Sequence, residues 1–102
     1  MRIIVLFDLP VMTPKERRAA NQFRHFLIGD GFDMLQYSIY ARICANSDIK
    51  DKHIQRVRRE APSEGSVRIL SVTENQFTNM DILVGEKTSE ERNLSARQLA
   101  IF

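Results

Sequence analysis

Arg2-Ile3-Ile4-Val5-Leu6-Phe7-Asp8, followed at once by Leu9-Pro10, is the most apolar run of the chain, and the rest of the fold is read outward from it. Five consecutive β-branched, aliphatic or aromatic residues predict a strand buried on both faces, and Pro10 ends it. Asp8 then stands at the carboxyl end of a central strand, a position where binding or chemistry often sits. The same side chain also suits a turn, where an aspartate hydrogen-bonds the backbone two residues on, and the run alone leaves both readings open.

Beyond the strand, Thr13-Pro14-Lys15-Glu16 carries a helix start in three parts: a capping threonine, proline at the first helical position and a glutamate that closes a capping box. A helix from Pro14 places Ala19, Ala20, Phe23, Phe26 and Leu27 on one face, with Lys15, Arg17, Arg18, Asn21, Gln22, Arg24 and His25 opposite. Gly29-Asp30-Gly31 supplies the glycine expected past its end. From Phe32 to Cys44 the chain alternates, as one long strand or as two joined near Gln36 to Ser38. Asn46 or Ser47 caps a second helix, about Asp48 to Ala61, stopped by Pro62. Its apolar stripe is thin, Ile54, Val57 and Ala61, and Lys52, Arg56 and Arg59 share the far side.

Gly65 opens a strand over Val67 to Thr73, and a short polar link leads to a further strand at Met80 to Val84. The order predicts an α+β fold, the ferredoxin-like βαββαβ arrangement with an additional C-terminal strand. Residues 1–85 form this domain, and 86–102 are a polar tail with an apolar end, Leu99 to Phe102, that needs somewhere to dock.

At 102 residues the chain has room for one domain with a modest core. The single Cys44 excludes an internal disulfide and fits a reducing, cytoplasmic location. The first apolar run is too short for a signal-peptide core or a bilayer span, so no membrane role is expected. A net charge of +2 conceals an asymmetry: residues 1–59 hold 11 Lys/Arg against 6 Asp/Glu, and residues 60–102 hold 4 against 7. The basic residues cluster in the two helices, which is what a polyanion binder needs and is equally what two solvated helix faces look like.

These residues resemble the second CRISPR-associated protein family, Cas two, in the short form that accompanies subtype II-A systems. The resemblance covers about residues 1–85. It rests on Ile3 to Asp8, on the Lys15/Arg17/Arg18 cluster, on Leu35-Gln36-Tyr37-Ser38-Ile39-Tyr40, similar to the family's Gln-x-Ser-Val-Phe segment, and on Ser66-Val67-Arg68-Ile69. Position 40 is tyrosine where phenylalanine is usual, and the last 17 residues have no counterpart in the pattern.

The resemblance implies a homodimer in which the late strand of one subunit pairs with the other's sheet. It implies a role in spacer acquisition, as a nucleic-acid-binding adaptor for the CRISPR integrase, Cas one, and a magnesium-dependent endonuclease activity on RNA or DNA. Asp8 takes the place of the catalytic metal ligand, Arg17 and Arg18 that of the nucleic-acid grip, and Tyr40, with Ser38 nearby, that of a site-proximal aromatic.

The residues themselves set limits on that chemistry. Mg2+ keeps several waters and takes one or two carboxylates plus phosphate oxygens, and one chain offers a single acid at the strand end. Two Asp8 side chains across a twofold axis would complete the set, and without metal they would repel. His25 and His53 read as surface residues, and Cys44 has no partner for thiol chemistry. A scaffold asks less: Lys15, Arg17, Arg18, Arg24, Lys52, Arg56 and Arg59, doubled in a dimer, would grip DNA or RNA phosphates with no catalytic group. An RNA-recognition domain or a small regulatory domain shares the element order, but the Gly-Phe signature of the former is absent from Ser38 to Cys44.

Overall fold

A computed structural model describes residues 1–85 as a two-layer α+β domain. The elements are β1 (Arg2–Asp8), α1 (Pro14–Gly29), β2 (Asp33–Gln36), β3 (Ile39–Ile43), α2 (Ser47–Glu60), β4 (Ser66–Val72) and α3 (Glu74–Thr78). The sheet order is β2-β3-β1-β4, antiparallel throughout, which is the expected ferredoxin-like arrangement. Because β1 pairs with β3 on one side and β4 on the other, its apolar run is enclosed by neighbours, and Ile3 and Val5 are wholly inaccessible to water.

Alternation divides β1 between two environments. Ile3, Val5 and Phe7 face the helices and join Phe23 and Leu27 of α1, Val57 of α2, Phe32, Tyr40 and Cys44 in the main core. Full burial of a phenylalanine or leucine is worth about 1.5 to 3 kcal/mol, so this face rather than helix propensity holds α1 in place. Ile4 belongs to the other face, with Ala41 and Phe77, flanked by Leu6, Leu35, Ile39 and Val72. That second face is only partly covered, and Leu70 on it is 53% exposed.

The helix ends follow their local chemistry. Thr13 and Glu16 make both bonds of the capping box, at 3.1 and 2.9 Å. At the other end Asp30 caps α1, Gly31 adopts φ 91°, and the Phe32 N–H donates to the Leu27 carbonyl at 2.9 Å. A Cβ on Gly31 would also run into the Arg42 guanidinium, so the glycine meets two demands at once. Asn46 caps α2 through a 2.9 Å bond from the Ile49 N–H.

Two expectations resolve differently from the simplest reading. The segment 32–44 is two strands, turned at Tyr37-Ser38, with Ser38 at φ 65°. Met80 to Val84, expected as a strand, follows the short helix α3 and has no strand partner among the described residues. A strand exists only through hydrogen bonds to a neighbour, and the apolar composition of 80–84 could not reveal that the described residues provide none. α3 was hidden in what reads as a polar link, although Thr73 and Gln76 form the same capping box as Thr13 and Glu16. It is anchored through Glu74, which accepts from Arg2 Nε at 3.2 Å, and through Phe77, whose ring lies 4.0 Å from the Arg2 guanidinium carbon. The expected docking end, Leu99 to Phe102, and the tail 86–102 lie outside the described residues.

Candidate nucleic-acid interface and metal-ligand residue

Asp8 ends β1 opposite Ser66 of β4, on the same sheet face as Leu6 and its register partners Ile39 and Arg68. It is exposed and lines an open depression with Leu6, Tyr37, Ser38, Ser66 and Arg68. The turn reading of Asp8 fails on the backbone: the residue two places on is Pro10, which has no N–H to donate. The rim is held from the other side by Gly65, at φ 94°, where a Cβ would stand 2.7 Å from the Asp8 carbonyl oxygen. Only a glycine permits that approach.

The hairpin turn forms the opposite wall. The Phe7 N–H donates to the Ser38 carbonyl at 3.1 Å, which ties the turn to the strand end bearing Asp8. Arg24, expected on the free basic face of α1, instead reaches this turn. Its Nη2 donates to Ser38 Oγ at 3.2 Å, and its guanidinium carbon lies 4.6 Å from the Tyr37 ring and 5.3 Å from the Phe7 ring. Tyr40, expected near the site, is a core residue: 3% exposed and stacked on Phe7 at 5.8 Å, it does not line the depression.

Lys15, Arg17 and Arg18 are exposed in the first turns of α1, and Lys52 and Arg59 are exposed on α2. Arg17 also fixes the preceding loop, donating through Nη1 to the carbonyls of Val11 and Met12 at 3.1 and 3.3 Å. Arg56 is partly engaged, with Nη1 2.8 Å from Asp30 Oδ1. His25 is exposed as expected, but His53 is buried, contrary to its reading as a surface residue. His53 Nδ1 lies 2.7 Å from Asp30 Oδ2; an ionised carboxylate can only accept, so Nδ1 carries the proton. The stripe of α2 is wider than its three aliphatics suggested, because His53 stands one turn before Val57 and finds a buried acid to satisfy it.

Arg68 is the rim residue that sequence reasoning passed over. Alternation places it on the face of Ser66, and the register sets it opposite Leu6 and Ser66 opposite Asp8, but only strand pairing makes that neighbourhood visible.

Among the described residues no group of three or more His, Cys, Asp or Glu gathers as a metal cage. The donors that are present suit a different mode. Asp8 offers an exposed hard-oxygen ligand, and the adjoining Ser38 and Ser66 leave space for the waters and phosphate oxygens that magnesium retains.

A ferredoxin-like sheet with an open carboxylate closing its central strand, Arg68 on the same rim, and two basic helices behind defines a small domain with a mixed acidic and basic end. The family model described as CRISPR associated protein Cas2 matches residues 1–80. Proteins named CRISPR-associated endoribonuclease Cas2 from Acidovorax ebreus and Parvibaculum lavamentivorans are 50% and 42% identical to the chain over 102 residues, covering the whole of each. The crystal structure of Streptococcus pyogenes Cas2 at pH 6.5 superposes with a TM-score of 0.61 at 20% identity, over 82% of this chain and all of that one, a likeness of fold. The chain belongs to the CRISPR associated protein Cas2 family.

Proposed function

We propose that the chain is a homodimeric nucleic-acid-binding adaptor for spacer acquisition, working with the CRISPR integrase (Cas one). Hydrolysis of phosphodiesters at paired Asp8 residues is a secondary activity. The carrying observation is the imbalance of the polar groups: Lys15, Arg17, Arg18, Lys52 and Arg59 are exposed cations, whereas Asp8 is the lone carboxylate of its depression. Gripping phosphates needs only the former. The half-covered sheet face around Leu6, Ile39 and Leu70, and the exposed Leu83 and Val84 at 92% and 93%, support a second copy as the cover. In that assembly Met80 to Val84 would gain the strand partner that it lacks among the described residues.

The name of the relatives, endoribonuclease, favours a second reading in which cleavage is the main role. Bound magnesium would supply a water of lowered pKa and polarise a phosphate oxygen. Asp8 from each copy would hold the ion, Arg68 would offset charge developing on the phosphate, and Ser38 and Ser66 would orient water.

Asp8→Ala separates the two. Loss of magnesium-dependent cleavage with intact spacer acquisition supports the adaptor role, and loss of acquisition together with cleavage supports the enzyme. Arg17→Ala and Arg18→Ala should each lower duplex affinity and flatten its salt slope by about one unit; unchanged slopes would remove these arginines from the interface.

A further inference from the structure

We propose that Tyr37 is a stacking platform for an unpaired nucleobase, backed by Arg24 and set beside the Asp8 rim. The inference rests on the nucleic-acid reading and adds to it the part of the ligand that phosphate contacts cannot see. Tyr37 occupies one of the two residues joining β2 to β3, a place where small or turn-forming residues are usual, yet it presents a large ring that is 76% exposed. The ring is fixed from one side: the Arg24 guanidinium carbon lies 4.6 Å from its centroid and is itself pinned to Ser38 Oγ at 3.2 Å. The backbone beneath is equally constrained, with Ser38 at φ 65° and its carbonyl bonded to the Phe7 N–H.

A rigid, open aromatic loses little conformational freedom when a flat ligand stacks on it. The remaining chemistry of the depression chooses the ligand. Arg68 provides positive charge, with Arg24 behind the Tyr37 ring, Ser38 and Ser66 provide hydroxyls, and Tyr37 provides a π-face. Phosphate and an accessible base face are needed together to use all three, and an unpaired nucleotide has both, whereas a duplex keeps its bases stacked on each other. The shared ligand chemistry is single-stranded RNA or single-stranded DNA, including the frayed end of a duplex.

The test uses the full chain with short RNA and DNA oligonucleotides carrying 2-aminopurine, whose fluorescence falls on stacking, and with a blunt duplex as comparison. Tyr37→Ala should weaken binding to one or both single strands by about 5-fold or more and abolish the quenching, while Tyr37→Phe keeps both. Duplex affinity, carried by the helix cations, should stay within twofold in either variant. Quenching and single-strand affinity unchanged in Tyr37→Ala would overturn the proposal. So would an equal loss for duplex and single strand, which would mean that the ring acts through the fold. A shift from dimer to monomer in sedimentation with quenching unchanged would assign the ring to a second copy instead. If the parent chain binds neither single strand nor duplex, the underlying nucleic-acid reading fails as well, an outcome distinct from failure of Tyr37 alone.

Discussion

Replacing Asp30 with alanine should be among the most damaging single changes in the chain, although Asp30 lies in a turn far from the depression. Its carboxylate is 7% exposed and accepts from His53 Nδ1 at 2.7 Å and Arg56 Nη1 at 2.8 Å, joining the end of α1 to the middle of α2. The two bonds are unequal. His53 is itself 7% exposed, so losing its acceptor leaves a buried donor unsatisfied, which costs about 1 to 3 kcal/mol. Arg56 is 37% exposed and can turn to water, so its bond to a charged acceptor is discounted to about 1 kcal/mol or less. The sum is about 1 to 4 kcal/mol, against a total of about 5 to 15 kcal/mol for a domain this size. Such a loss lowers the melting temperature by roughly 4 to 32 °C. Urea unfolding followed by circular dichroism, at one fixed protein concentration, measures it. His53→Ala, Arg56→Ala and the double-mutant cycles with Asp30→Ala apportion the effect. A loss below about 1 kcal/mol, or a coupling to Arg56 larger than that to His53, would refute the reasoning.

Gly65→Ala should destabilise by about 1 to 3 kcal/mol from its φ of 94° alone, and the approach of its Cβ to the Asp8 carbonyl should displace the Asp8 amide resonance; a silent substitution at both readouts would contradict the geometry. Burial pushes the Cys44 thiol up from its ordinary value, so native protein should resist alkylation at pH 8 and react only on unfolding; the neutral thiol it favours supports the fold below the ordinary thiol range, and that support is lost as pH rises through the elevated value. Should two Asp8 carboxylates meet in the dimer, Asp8→Asn will tighten self-association in magnesium-free buffer, by about fivefold for a repulsion of about 1 kcal/mol. Sedimentation showing no change would place the acids apart.

What was legible in the sequence is what neighbours in sequence decide. The run Ile3 to Phe7, the Thr13 capping box, and the stripe through Ala20, Phe23 and Leu27 each carry their signal within one element, and each forms as read. α3 was equally legible, since Thr73 and Gln76 repeat the capping pattern, but the apolar residues after it drew attention to a strand. What could not be read required distant partners. Asp30 and His53 are separated by 23 positions, and nothing in either segment announces that a turn acid and a helix histidine will be buried against each other. Arg24 lies 14 positions from Ser38; helical periodicity assigned it to the basic face, whereas its length lets it fold over the helix edge onto the hairpin turn. Arg68 became a rim residue only through its register with Leu6.

Asp8 and Asp30 are acids in opposite surroundings. Both acids close an element, but Asp30 has two cationic or polar donors within hydrogen-bond reach and is shut away from water, so its charge is committed to joining α1 to α2. Asp8 faces solvent, with a proline where its turn partner would be and a glycine pressing on its backbone from behind. Among the described residues nothing covers its carboxylate, which stays exposed. A single exposed acid holds a divalent ion weakly, so any firm site there must borrow ligands from phosphate or from another copy. The half-covered apolar face begins beside Asp8 with Leu6 and Ile39, so whatever buries that face also brings new groups to the acid. If a second copy covers that face, as proposed, association and chemistry would share one surface, and a domain with few functional side chains would gain from its partner what handling nucleic acid requires.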